Sequence, residues 1–233
     1  MAETAGDLER AVEAEREPGF LLALPERSLL RWIAARLPRW ILPDDLTALG
    51  VLASLGICAA YGLSNNGTAW RWVASALLVV QWLGDSLDGT LARVRGIERP
   101  TYGYYIDHLV DAISTAAIGI GLGISPYMLL SIGTLIVVGY LVLSINVYLE
   151  SFAFGRFNIG YGYIGPTEMR LILIALNTAL ALGAGEFDLV SLALTPLDLV
   201  GMVIIAGMAV MLIGRATRNL RELSRREPAA TRH

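Results

Sequence analysis

The sequence predicts an all-α integral membrane protein in which six transmembrane helices follow an interfacial amphipathic helix. Apolar residues make up 55% of the 233 positions and charged residues make up 17%, against about 25% charged in ordinary soluble domains. The mean hydropathy of +0.57 excludes a disordered chain, because disorder requires low hydrophobicity and high charge. Apolar stretches close to the roughly 20 residues of a spanning helix recur six times, and arginines separate them in a regular pattern.

The six predicted spans follow one another with short connections. They cover residues 46–64, 72–94, 104–124, 126–149, 168–185 and 197–215. The third and fourth spans are divided at Ser125-Pro126, because proline disfavours helix at the residue that precedes it. The last two spans have the shortest uncharged cores, and Asp198 is expected near an interface.

The arginines predict the orientation of the spans. All 18 basic side chains are arginines. All except Arg71 lie before the first span, between spans two and three or spans four and five and at the adjoining ends of those spans, or from the end of the last span onward. The positive-inside rule therefore places both termini on the cytoplasmic side. The chain divides into a disordered acidic tail over 1–24, an amphipathic helix over 25–42, a six-helix domain over 43–217 and a basic cytoplasmic tail over 218–233.

The segment before the first span has the pattern of a helix that lies in the membrane interface. Its apolar side chains share one helical face and its arginines share the other. The apolar face consists of Leu29, Leu30, Ile33, Leu37, Trp40 and Ile41. Pro38 is expected to kink or end this helix. The alternative is a helix that packs on the rest of the protein.

Charge and cysteine usage exclude two classes of function. The formal net charge is −3 and the sequence pI is about 5.4, so we expect no nucleic-acid partner. Cys58 is the single cysteine, which excludes a disulfide framework and a zinc site built from cysteines.

Four aspartates near the second and third spans form the most informative pattern in the chain. They are Asp85, Asp88, Asp107 and Asp111, and we call them the aspartate quartet. The spacings of three and four residues place each pair on one helical face. A short connection joins the two spans, so both pairs are expected at one depth near the cytoplasmic boundary. Ionisable residues within membrane segments usually mark function.

The repulsion within the aspartate quartet must be relieved by protons or by divalent cations. Oxygen ligands favour Mg²⁺, Mn²⁺ or Ca²⁺, and four carboxylates could hold two such ions, an arrangement suited to displacement at phosphorus. Gly89 and Gly103 would let a ligand approach closely, and Arg93 could pair with a phosphate oxygen. The alternatives are interface charges neutralised by neighbouring arginines, and glycines that serve only helix packing.

The motif around the aspartate quartet resembles the signature of the CDP-alcohol phosphotransferases, integral membrane enzymes of phospholipid synthesis. It reads Asp85-x2-Asp88-Gly89-x2-Ala92-Arg93, then Gly103-x3-Asp107-x3-Asp111. The residues between Arg93 and Gly103 include about one more than is usual in that family, in a loop where an insertion should be tolerated. Asp44, at the entry to the first span, stands where the family usually has asparagine.

The resemblance implies a site and a reaction. Asp85, Asp88 and Asp107 would ligate two ions, Mg²⁺ or Mn²⁺, with Asp111 as a further ligand or general base. The cytidine diphosphate site would be lined by Gly89, Ala92, Arg93 and Gly103. An alcohol oxygen would attack the β-phosphorus of a CDP-linked donor and release CMP at the cytoplasmic face. The resemblance also implies a homodimer.

Two further residues look similar to the choline/ethanolamine phosphotransferase branch. His108 follows Asp107, and Glu168 lies in Gly-Pro-x-Glu before the fifth span. That branch implies that the two act together in deprotonating diacylglycerol, since a carboxylate can orient a histidine base. Glu168 could instead only cap its helix. Arg170, which departs from that branch, could bind a phosphate on the acceptor.

The sequence is compatible with three classes of function. The favoured one is a phosphotransferase with a CDP-amino-alcohol donor and a diacylglycerol acceptor, and its variant uses CDP-diacylglycerol with a small alcohol or phospho-alcohol. A membrane prenyltransferase would need a second, separated aspartate-rich motif. A cation transporter would need its carboxylates near the bilayer midplane.

Overall fold

The structure, a computed structural model, describes residues 22–154, 165–183 and 194–227. These parts of the chain contain seven α-helices and no β-strand. The helices are α1 Ala23–Ala34, α2 Pro43–Gly62, α3 Ala69–Arg95, α4 Pro100–Ile124, α5 Leu130–Phe154, α6 Pro166–Ala181 and α7 Pro196–Arg226, with a 3₁₀ turn at Ser64–Asn66 after α2. The all-α prediction is confirmed for the described residues.

Four of the seven helices are long and apolar enough to cross a membrane: α2, α4, α5 and α7. Helices α3 and α6 coincide with the other two predicted spans. However, α3 carries charged side chains at both ends and α6 has only 16 residues, so neither qualifies by length and composition. The count of six spans, the cytoplasmic orientation and the homodimer stay predictions. Most of the predicted tail 1–24 and the last residues of the basic tail lie outside the described residues.

Helix α2 lies at the centre of the packing. Both α3 and α4 pack along it, α6 packs on α3, α5 packs on α4, and α7 packs on α5. Helices α3 and α4 have little backbone contact with each other. The two helices that carry the aspartate quartet therefore face one another beside a common neighbour, rather than packing as a tight antiparallel pair.

Small residues allow α2 and α3 to approach closely beside the aspartates. A Cβ atom added at Gly84 would lie 2.7 Å from the backbone nitrogen of Gly50 and 2.7 Å from the carbonyl oxygen of Leu46. No side chain other than hydrogen fits there without separating the helices. One turn further along α2 from Gly50, the buried Ser54 hydroxyl donates to the hydroxyl of Ser114 on α4 at 2.9 Å.

Helix α1 corresponds to the predicted amphipathic helix, and it ends at Ala34, before Pro38. Leu30 and Ala34 are buried with Leu46 of α2 and two leucines of α3. Trp32 and Trp40, by contrast, are 57% and 78% exposed. The segment thus packs on the domain along one side and leaves apolar side chains uncovered along another. Its location in a membrane interface stays a prediction.

The first turn of α7 explains how an acidic residue fits at the start of an apolar helix. Asp198 is fully buried. Its carboxylate accepts hydrogen bonds from the backbone amides of Thr195 at 2.8 Å and Leu129 at 2.7 Å, while the Thr195 hydroxyl accepts from the amide of Asp198 at 3.1 Å. This reciprocal cap satisfies otherwise unpaired amides at the helix start, so Asp198 has a structural role.

Candidate active site

Asp85 and Asp88 lie on successive turns of α3 directly after the contact between Gly84 and α2. The Asp88 carboxylate accepts from the hydroxyl of Thr47 on α2 at 2.6 Å and from the amide of Gly89 at 2.6 Å. The Asp85 carboxylate accepts from Arg170 on α6 at 2.5 Å. Both carboxylates are therefore held in fixed orientations by neighbouring helices.

Asp107 and Asp111 lie on α4 and face the α3 pair. Asp111 interacts electrostatically with the other three members of the aspartate quartet and with Arg170. Asp88 interacts with Asp85 and Asp107. Asp111 thus lies within electrostatic range of the other three carboxylates, and the convergence of all four in one site stays a prediction.

The other residues of the motif lie on the same two helices as the carboxylates. The guanidinium of Arg93 folds back along α3, where Nη2 donates to the Thr90 hydroxyl at 3.1 Å. A Cβ atom at Gly89 would lie 3.4 Å from Nη1 of Arg93, whereas one at Gly103 would meet nothing within 4 Å. Ala92 is partly buried on the turn that precedes the end of α3. A side chain at Gly89 would thus contact Arg93, whereas a Cβ atom at Gly103 would extend into open space.

Residues 40–215 match the family model for CDP-alcohol phosphatidyltransferases, and this match covers well over half of the sequence. The chain belongs to the CDP-alcohol phosphatidyltransferase family. Members of the family are transferases of phosphate-containing groups. The protein is therefore an enzyme of phospholipid synthesis that transfers such a group from a CDP-alcohol to an acceptor.

CDP-alcohol phosphatidyltransferases generally depend on a divalent metal. In the described parts of this chain, no three Asp, Glu, His or Cys side chains are gathered in an arrangement that could hold an ion. The donor set nevertheless fits such ions in its chemistry, because the aspartate quartet supplies only hard oxygen ligands. Thr47 and the Gly89 amide orient Asp88, as outer-shell groups orient metal ligands. The assignment of the quartet as metal ligands stays a prediction.

His108 lies on α4 next to Asp107 and packs among aromatic side chains. Its ring centroid is 4.2 Å from that of Tyr104 and 5.2 Å from that of Tyr148 on α5. Nδ1 is 2.7 Å from the carbonyl oxygen of Tyr104. A carbonyl can only accept, so Nδ1 carries the proton of the neutral ring and Nε2 carries the lone pair.

Glu168 has different partners from those expected of a member of a His–Glu pair. Its carboxylate accepts from the backbone amide of Gly165 at 3.0 Å, which caps α6, and from the amide of Leu22 at 3.1 Å. The alternative capping role is thus present in the structure. The catalytic pairing of His108 with Glu168 stays a prediction, and the carbonyl of Tyr104 already orients the histidine.

The departures of this chain from the usual family motif meet in the loop between α3 and α4. Arg99 and Asp44 form an ion pair of 2.5 Å on the surface, and this hydrogen bond raises the pKa of Arg99. Arg95 donates to the carbonyl oxygens of Leu37 at 3.1 Å and Pro38 at 2.8 Å. The end of α3 and the loop after it are therefore attached to the connection between α1 and α2 and to the first turn of α2.

Three functional contacts were not predicted from the sequence: those of Thr47, Gln81 and Glu26. Gln81 is 1% exposed, and its side-chain oxygen accepts from Nε of Arg170 at 2.6 Å. A lone glutamine within an apolar stretch was the available signal, because buried polar groups need partners. Thr47 and Glu26 gave weaker signals, since their partners are distant in sequence.

Proposed function

We propose that this enzyme transfers a phospho-alcohol group from a CDP-linked amino alcohol to the hydroxyl of diacylglycerol, releasing CMP. The observation that supports this proposal is the electrostatic interaction of Asp111 with the other three members of the aspartate quartet, with His108 on the same helix as Asp107. The carboxylates would supply the metal-binding ligands, and the histidine would supply a base for an alcohol. Such a combination suits attack of a hydroxyl on phosphorus.

In this proposal the aspartates would bind the metal ions, whereas Arg93 and Gly103 would contact the CDP-linked donor. Asp85, Asp88, Asp107 and Asp111 would hold two divalent ions, Mg²⁺ or Mn²⁺, which when bound neutralise the diphosphate and the departing CMP. Arg93 lies over Gly89 and can turn its guanidinium toward a phosphate oxygen. Gly103 lies one turn before Asp107 on α4 and faces open space, which a flat base or a diphosphate could occupy.

His108 would act on the acceptor. With Nδ1 donating to the carbonyl of Tyr104, Nε2 can accept the proton of the diacylglycerol hydroxyl as its oxygen bonds to the β-phosphorus. The bond from that phosphorus to the CMP oxygen breaks, and CMP carries away the electron pair. Tyr104 takes over the orienting role that Glu168 has in the predicted pair, and Asp111 remains the alternative base.

A second candidate uses CDP-diacylglycerol as the donor and a phospho-alcohol as the acceptor. It is favoured by the position of Arg170, whose guanidinium lies in the site on the carboxylate of Asp85. A guanidinium there could bind the acceptor phosphate through two parallel hydrogen bonds. In this case Asp111 is the base, and His108 has no part in the reaction.

The test is CMP release by the purified protein in lipid vesicles with Mg²⁺ or Mn²⁺. One arm supplies CDP-ethanolamine or CDP-choline with diacylglycerol, and the other supplies CDP-diacylglycerol with glycerol 3-phosphate, inositol or inositol phosphate. We expect turnover in the first arm and its loss in the Asp88→Asn variant. Turnover only in the second arm would replace the first candidate by the second, and no turnover in either would contradict both.

A further inference from the structure

Glu26 on α1 joins three helices through one carboxylate oxygen. Its Oε1 accepts from the indole Nε1 of Trp82 on α3 at 2.8 Å and from the hydroxyl of Thr167 on α6 at 2.8 Å. A third, longer hydrogen bond of 3.4 Å comes from Ser86 on α3. Charge-assisted hydrogen bonds of this kind are stronger than neutral ones, so Glu26 is a junction rather than a surface charge.

A reciprocal contact ties α6 back to the start of α1. Glu168, next to Thr167 in the chain, accepts from the backbone amide of Leu22. The first turn of α6 thus gives one hydrogen bond to α1 and receives one from it. The contacts are separated by 141 and 146 positions in sequence, so they define the tertiary position of α1.

The same turn of α6 leads directly to the carboxylates. Arg170 lies three residues after Thr167, and its guanidinium donates to Gln81 and to Asp85. On α3, Trp82 and Ser86 flank Asp85 at distances of three residues and one residue. The contacts of Glu26 therefore hold both helices that set the geometry between Arg170 and Asp85.

We infer that Glu26 is a positioning residue that sets the register of α6 against α3, and through it the contact of Arg170 with Asp85. The effect of Glu26 on the reaction rests on the proposed function, in which Asp85 is a metal ligand. It gives helix α1 a role in the reaction besides contact with a membrane. The side-chain partners of Glu26 are Trp82, Ser86 and Thr167, so it would act through these neighbours.

The structural part of the inference can be tested without activity. The full chain is labelled with 5-fluorotryptophan in vesicles, and the ¹⁹F signal of Trp82 is assigned from its loss in Trp82→Phe. We expect both Glu26→Ala and Thr167→Val to shift this signal. The indole of Trp82 on α3 and the hydroxyl of Thr167 on α6 donate to the same oxygen of Glu26, so loss of the Thr167 hydrogen bond should change the environment of Trp82. The control is Ser28→Ala, an exposed position on α1, which should leave the signal in place. A Trp82 signal that Thr167→Val does not move would overturn the inference.

The kinetic part separates positioning from simple loss of folded protein. We expect Glu26→Ala to lower kcat at least about tenfold with the KM for the CDP-linked donor nearly unchanged, and Glu26→Gln, whose amide oxygen still accepts, to restore most of kcat. In a protein that already carries Arg170→Gln, adding Glu26→Ala should lower kcat little further. The reason is that two residues acting through the same contact have non-additive effects. Equal losses in both backgrounds would overturn the inference. An inactive wild-type protein would instead overturn the proposed function, and the ¹⁹F result would still decide the role of Glu26.

Discussion

Arg170 on α6 holds the carboxylate of Asp85 on α3 in a nearly buried ion pair. Nη2 and Oδ2 lie 2.5 Å apart, and the two side chains are only 11% and 15% exposed. Gln81 fixes the other edge of the guanidinium through Nε. Arg170 therefore compensates one charge of the aspartate quartet. If Asp85 is a metal ligand, as proposed, the guanidinium and the cation would compete for its carboxylate.

Replacing Arg170 by glutamine is expected to tighten Mn²⁺ binding by roughly tenfold, which corresponds to about 1.4 kcal/mol. The reason is that the neutral side chain no longer competes for Asp85, so the site becomes more negative. The measurement is a Mn²⁺ titration of the purified protein followed by electron paramagnetic resonance, with and without CMP.

The matched control for this change is Arg226→Gln. Arg226 forms an exposed i,i+4 ion pair with Glu222 at the end of α7, and such pairs contribute little. Its loss should leave Mn²⁺ affinity unchanged. Weaker Mn²⁺ binding in Arg170→Gln would show that Arg170 orients Asp85 for the ion instead of competing with it.

Asp107→Asn is expected to abolish CMP release, because an amide ligates a divalent cation more weakly than a carboxylate and removes one charge from the site. The matched control is Asp44→Asn, at an exposed position where the family usually has asparagine. That variant loses only its surface ion pair with Arg99 and should keep near wild-type turnover. Activity of Asp107→Asn close to wild type would rule out the two-metal model.

The sequence predicted which aspartates share a helical face because their spacings are local. Positions three and four apart share a helical face in any helix, so the pairing within the aspartate quartet followed without a structure. The partners of these residues could not be predicted in this way. Thr47 reaches Asp88 across 41 positions and Arg170 reaches Asp85 across 85, and these contacts depend on how α2 and α6 pack against α3.

The boundaries of the spans were less predictable for a related physical reason. Hydropathy reports where apolar residues lie, whereas helix ends depend on caps. Gly96, with φ of 64°, ends α3 in the left-handed conformation, and Asp198 caps α7. Helix α7 also continues to Arg226, beyond the predicted last span, because helix geometry does not stop where an apolar stretch ends.

His108→Ala is expected to lower turnover with diacylglycerol by about 10²-fold or more, since a general base is worth that much, while binding of CMP survives. The Glu168→Gln variant tests whether His108 is oriented by the carbonyl of Tyr104 or by Glu168. If the carbonyl of Tyr104 alone orients His108, this variant should alter stability more than the pH dependence of kcat. A loss of the same size in both variants, with the same change in pH profile, would support the His108–Glu168 pair instead.

Gly84→Ala is expected to destabilise the protein by about 1–3 kcal/mol, the usual cost of overpacking a close contact. The new Cβ atom would meet backbone atoms of Gly50 and Leu46, which cannot turn aside as a side chain can. Because the same contact holds Thr47 against Asp88, activity should fall together with the melting temperature. Gly207→Ala on α7 is the matched control, since its Cβ would meet nothing within 4 Å. If Gly84→Ala proved as stable as Gly207→Ala, the close approach of α2 and α3 beside the aspartates would be wrong.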